Sequence, residues 1–169
     1  HPPTTQVACM GPGSIPPMAS RPDAPQLADL ERELTRLLRR ARVTSGAIAA
    51  EVHPDLDSSS YTVLITVLDL QHVLPGGVRA ADVGEQLRLH KSTMSRNITV
   101  LEQLGLLERL PSPDDARARL LHITPTGQHQ LMTAITARRA RIADALGQWS
   151  GEDTDHLARL LQRLNDDLD

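Results

Sequence analysis

Phenylalanine is absent from this chain of 169 residues, and the other large aromatics occur once each, as Tyr61 and Trp149. A core must then be assembled from Leu, Ile, Val, Ala and Met, which helix packing readily permits. The same lack counts against single-stranded nucleic-acid binding of the stacking type, which needs aromatic platforms. Cysteine is nearly missing too: Cys9 stands alone, so no internal disulfide framework can form. No run approaches the roughly 18 apolar residues of a membrane helix, and no secretory signal pattern opens the chain. Together these absences predict a cytoplasmic protein that does not engage a membrane.

An excess of positive charge is also lacking. The formal net charge is −3, so the molecule is not a nonspecific polycation, and the distribution of charge carries more than its sum. Between Arg88 and Arg119 six basic residues face four acidic ones, whereas from Gly147 to Asp169 two basic residues face six acidic ones. The first region suits an anionic partner and the second does not.

The chain is organised in distinct stretches. Residues 1–26 hold seven prolines and two glycines without an apolar period, which reads as a disordered or extended tail. From Leu27 an amphipathic helix follows, with Leu27, Leu30, Leu34, Leu37, Leu38 and Ala41 at helical spacing. A Ser cluster in "HPDLDSSSY" is positioned to cap a second helix. After the turn "LPGGV", a short helix carries Ala80, Val83 and Leu87 inward, and Met94, Ile98, Leu101 and Leu104 line the next one. Gly105 fits the left-handed residue that closes it. "LLERLP" and "RLLHIT" are strands joined by the loop "SPDDARA". Thr124 and Pro125 then open a long helix to about Gln148, and Leu157, Leu160, Leu161, Leu164 and Leu168 mark a last one.

Two short helices joined by a tight connection and followed by a two-stranded ribbon predict a winged helix-turn-helix. In such a module the second helix enters the major groove and its first exposed residues meet base edges. Ser92, Thr93, Ser95, Arg96 and Asn97 are the donors and acceptors expected there, with Lys91 and His90 placed for phosphate. Hydroxyls near a helix start commonly act as caps; it is their place before a hairpin that gives them a reading role. In "PDDARAR", Arg117 sits near the ribbon tip, where it suits a narrow minor groove. Arg119 opens the return strand, and Asp114 and Asp115 are close enough in sequence to orient a guanidinium.

Over residues 78–127 the sequence resembles the MarR family, the multiple antibiotic resistance regulators. The resemblance rests on S-x-x-S-R at Ser92 to Arg96, L-E-x-x-G-L-L-x-R at Leu101 to Arg109, D-x-R at Asp115 to Arg117 and I-T-x-x-G at Ile123 to Gly127, in the family's order. It implies a mainly α fold with a small β-hairpin wing. The winged helix-turn-helix would span residues 56–124, and residues 27–55 and 125–169 would form a helical dimerisation region. It further implies a homodimer on a palindromic operator in double-stranded DNA, most often a repressor released by a small aromatic or phenolic effector. The apolar stripes of the terminal helices independently call for a partner. Two-fold symmetry would set half-sites about 34–36 Å apart.

The sensor is less legible. Oxidant-sensing relatives place their reactive Cys at the start of the first helix, and Cys9 departs from that pattern. Seven His are scattered without i, i+4 ligand spacing, so neither a metal nor a resident cofactor is expected. Trp149 reads as a dimer-core residue. Arg39, Arg42, Tyr61, Leu64 and His72 form a candidate effector pocket, in which an arginine beside apolar walls would hold a carboxylate. The alternative to a regulator is a winged-helix protein-interaction module without DNA binding. An enzyme is not expected, because no phosphate loop, nucleophile elbow or catalytic His and carboxylate set is present.

Overall fold

A computed structural model describes residues 21–74, 76–113, 115 and 117–168. Cys9, Asp114 and most of the expected proline-rich tail lie outside them. Helix α1 spans Ala24–Val52, beginning three residues before the expected Leu27. Asp23 and Gln26 explain the earlier start. The Asp23 N–H donates to Gln26 Oε1 at 3.0 Å and the Gln26 N–H to Asp23 Oδ1 at 2.9 Å, a reciprocal cap. Pro25 falls in the first turn, where a missing N–H removes no helical bond.

The chain divides into two compact units, residues 1–41 and 42–169. In the first, α1 carries exposed Leu27, Leu30, Leu37 and Leu38 and the surface pair Asp29–Arg32 at 2.7 Å. The second unit holds the end of α1 and then α2 (Ser58–Val73), β1 (Val78–Arg79), α3 (Ala80–Gln86) and α4 (Lys91–Gln103). The strands β2 (Leu107–Pro111) and β3 (Arg119–Ile123) and the helices α5 (Pro125–Ala145) and α6 (Gly151–Leu168) complete it.

The sheet contains the expected two-stranded ribbon and adds a short third strand to it. It has three antiparallel strands in the order β1-β3-β2, with Val78 opposite Leu121 and Glu108 opposite His122. β1 is two residues long, too short to show a period in sequence. It pairs with what would otherwise be a bare edge of β3. Asp57 rather than a serine caps α2, through the Ser59 and Ser60 N–H groups. Thr124 and Pro125 open α5 as expected.

The core is aliphatic throughout. Val63, Leu64 and Val67 of α2 meet Ile98 and Leu101 of α4, with Leu106, Leu107 and Leu131 fully buried around them. Two helix ends aim the winged module. α4 closes with Gly105 at φ 68°; the Leu106 N–H donates to the Leu101 carbonyl at 2.9 Å and the Gly105 N–H to Glu102 at 3.0 Å. α3 closes in the same bonding pattern, but there the left-handed residue is Arg88 at φ 51°, a conformation that costs an ordinary L-residue about 1 kcal/mol.

Candidate nucleic-acid interface

Helix α4 has two faces set by a 3.6-residue period. Met94, Asn97, Ile98 and Leu101 point inward, while Ser92, Ser95, Arg96 and Thr99 form an exposed stripe at i, i+3, i+4 and i+7. Lys91 is exposed at the first helical position and Thr93 is half-buried. Ser92, Ser95, Arg96 and Lys91 therefore lie together on the surface as expected. Thr99 was missed by the sequence reading, although it completes their spacing; its hydroxyl donates back to the Ser95 carbonyl at 2.9 Å.

Asn97 corrects the expectation of an outward reader. It is only 4% exposed, and its Nδ2 donates to Ser59 Oγ at 2.8 Å, tying α4 to the first turn of α2. A polar residue three after Met94 falls on the apolar stripe, where a partnered amide avoids the cost of an unsatisfied group. Asn97 thus fixes how α4 is presented.

Beside it lies a groove lined by Asp57, Ser59, Ser92, Thr93, Arg96 and Asn97. Asp57 Oδ1 accepts from the Ser59 and Ser60 N–H groups at 2.8 and 2.9 Å, and Oδ2 accepts from the Ser60 hydroxyl at 2.8 Å. Partial burial opposes ionisation of Asp57, but these hydrogen bonds and the charge of Arg96 outweigh it, holding the carboxyl below its ordinary value. A folded-state pKa depressed below the unfolded one contributes stability above the unfolded pKa, and that stability is lost as pH falls through the folded one. Asp57→Ala should therefore cost about 1 kcal/mol at pH 7, as loss of a helix cap, and progressively less below pH ~4. Urea unfolding at pH 7 and pH 3 measures both; an equal deficit at the two pH values would contradict the assignment.

The wing projects from β2 and β3. Arg117 and Arg119 are exposed, with Arg119 opposite Pro111 at the start of β3. Asp115 acts on backbone: its Oδ1 accepts from the Arg117 N–H at 2.9 Å, which shapes the turn and leaves the guanidinium clear of ion pairs among the described residues. At the wing base Arg109 Nε meets Glu102 Oε1 at 3.1 Å, linking β2 to the end of α4. A recess of about 560 Å³ lies alongside, with apolar walls from Leu89, Met94 and Ile98 and polar groups from Glu85, Lys91, Ser95 and Arg109.

The candidate effector residues differ in burial. Leu64 is fully buried in the core; Arg42 and His72 are exposed, and Arg39 is exposed on the first unit. Tyr61 is half-buried, and its hydroxyl accepts from Arg138 Nη1 at 3.3 Å. Nearby, Arg141 Nη2 pairs with Glu51 Oε2 at 2.9 Å. Both α5 arginines escaped the sequence reading, because a charged run on a long helix reads as a solvated face. Among the described residues no group of three His, Cys, Asp or Glu comes together, and no helix is long and apolar enough to cross a membrane.

The sequence profile of the MarR family matches residues 55–118, from the cap of α2 to the wing. An uncharacterized HTH-type transcriptional regulator of Bacillus subtilis (strain 168), YxaD, is 31% identical over 136 residues, covering 80% of this chain and 90% of that protein. The chain belongs to the MarR family. The transcriptional regulator HosA of Escherichia coli O111:H- is a more distant relative, 26% identical over 66% of this chain and 78% of its own. Among solved structures, a MarR family protein from Bacillus stearothermophilus superposes with a TM-score of 0.73 at 18% identity, covering 88% of this chain and 99% of its own. RV1404 from Mycobacterium tuberculosis gives 0.66 at 21%, covering 89% and 97%. At such identities the structures bear on the fold alone, and they share the MarR winged-helix architecture seen here. Within that architecture, α3 and α4 are the helix-turn-helix and β2 and β3 the wing.

Proposed function

We propose that this MarR-family protein is a homodimeric, sequence-specific repressor that places two α4 helices in successive major grooves of a palindromic operator. The observation that carries the reading is the exposed stripe Ser92, Ser95, Arg96 and Thr99 on a helix whose opposite face is locked into the core. Arg96 is the long cation suited to a guanine edge, and the short hydroxyls suit bases or backbone oxygens. Arg117, held at the wing by the turn that Asp115 shapes, suits the adjacent minor groove.

A second copy is the proposed partner of the terminal helices. Helix α6 has no buried residue, and Leu157, Leu160, Leu161 and Leu168 are exposed along it; α1 carries its own exposed stripe. Contiguous apolar surface of this kind is normally covered in solution. For the effector we favour the recess beside α4, where Lys91 stands beside apolar walls, with Glu85 and the Glu102-paired Arg109 at its edge, an arrangement suited to a small aromatic acid. Such a ligand would compete for side chains that face DNA, so release from the operator follows. The relatives' names are those of regulators, and no catalytic role is proposed.

Alanine substitution tests the contacts. Arg96→Ala should weaken operator binding by about 10- to 100-fold and relax preference at one base position in each half-site. Arg117→Ala should weaken it and make the dependence of log K on log salt shallower by about one per bound wing. Fluorescence anisotropy with labelled duplex reads both, with circular dichroism to confirm folding. Wild-type binding by both folded variants would refute the interface.

A further inference from the structure

Arg88 is the one non-glycine among the described residues with a positive φ, at 51°. It is the residue just past α3, where its N–H donates to the Glu85 carbonyl at 3.1 Å and the Leu89 N–H to Gly84 at 2.9 Å. Glycine closes such an end without steric cost, and asparagine closes it at little cost. Arginine has no local advantage there, because its Cβ crowds the backbone in the left-handed region. Among the described residues the guanidinium has no ion-pair partner, and Arg88 is exposed. The carboxylates close in sequence are those of Glu85, also exposed, and Asp82, which accepts from the Arg79 N–H at 2.7 Å. Among the described residues no ion pair offsets the strain. Left-handed outliers of this kind cluster at functional sites, ligand clamps among them.

We infer that Arg88 is a further DNA anchor, its guanidinium gripping a backbone phosphate at the rim of the groove that α4 enters. The inference rests on the DNA-binding reading above and adds to it a residue outside the wing and outside the reading stripe. When the second helix of such a motif lies in the major groove, the first crosses the phosphate backbone, so the turn between them stands over that backbone. Arg88 is in this turn, three residues before Lys91, and the exposed His90 and Lys91 follow it on the approach to α4. Guanidinium matches phosphate in a two-pronged geometry that a point charge lacks. The contact positions the helix and carries no sequence preference.

Arg88→Gly separates this role from a structural one, because the two predict opposite effects on stability. Glycine relieves the left-handed strain, so the melting temperature should rise by roughly 2–4 °C. Loss of the phosphate contact should weaken binding several-fold on operator and scrambled duplex alike, with a salt slope shallower by about one per protomer. Arg88→Lys should keep most of the slope. A lower melting temperature in Arg88→Gly would mean that the guanidinium serves the fold, and an unchanged affinity and slope in a variant that stays folded would mean that it does not meet DNA; either overturns the inference. If the wild-type protein itself shows no salt-dependent DNA binding, the DNA-binding reading falls and this inference with it. If the wild type binds and Arg88→Gly matches it, only this inference falls.

Discussion

Gly127→Ala is expected to destabilise the protein by about 3 kcal/mol or more, at the upper end for an overpacked site. A Cβ at position 127 would stand 2.9 Å from the carbonyl carbon of Leu106, and closer still to its oxygen. Those are backbone atoms, and they are held in place. The Leu106 carbonyl accepts from the Thr124 N–H at 3.1 Å, and the Thr124 hydroxyl donates to Gly105 at 2.6 Å while accepting from the Gly127 N–H at 3.0 Å. This joint bolts the start of α5 to the corner between α4 and β2, which explains why I-T-x-x-G follows the wing in the sequence. Urea denaturation is the measure. A loss under 1 kcal/mol would show that the corner relaxes and that α5 is not rigidly joined to the reading helix.

The second large effect is on assembly. Leu157→Asp combined with Leu160→Asp should leave the fold of the second unit intact, because neither residue is in its core. It should convert the proposed dimer to a monomer by sedimentation, since the substitutions place charge in the apolar stripe that a second copy would cover. Operator affinity should fall by about 100-fold or more, because a linked second half-site contributes 10²- to 10⁴-fold. Scrambled DNA, bound through phosphate contacts alone, should lose much less. Trp149 is half-exposed next to these residues, in a hollow with His156, Leu157 and Leu160, so its fluorescence provides an independent readout of dissociation. A doubly substituted protein that remains dimeric would place the partner surface elsewhere.

Much of the architecture was legible because it depends on periodicity and on residues with one conformational use. Gly105 closes α4 in the left-handed region, Thr124 and Pro125 start α5, and the strands fall where the apolar runs put them. The departures share a different cause, which is that tertiary contacts decided them. β1 exists because β3 offers an edge, and two residues carry no pattern. Pro25 looked like tail until the Asp23 and Gln26 cap showed the helix already begun.

Within the site, residue type misled where helix phase would have served. Asn97 has the chemistry of a reader, yet it lies in phase with Met94, Ile98 and Leu101, and its amide is spent on Ser59. Thr99 lies in phase with Ser92, Ser95 and Arg96 and was passed over. Arg88 was counted as charge rather than as a position, because nothing in the sequence alone marks a left-handed arginine. The effector pocket was least legible: apolar and basic residues on two helices do not reveal which of them, like Leu64, are already consumed by the core.

The central claim is that a dimer of this chain reads duplex DNA through α4 and the wing. Selection of bound sequences from a random duplex library by the purified, full-length protein tests it most directly. The account predicts enrichment of an inverted repeat whose half-site centres lie about 10 bp apart, the spacing of two reading helices one turn apart. Recovery of no common sequence, with equal retention of unselected DNA, would contradict it.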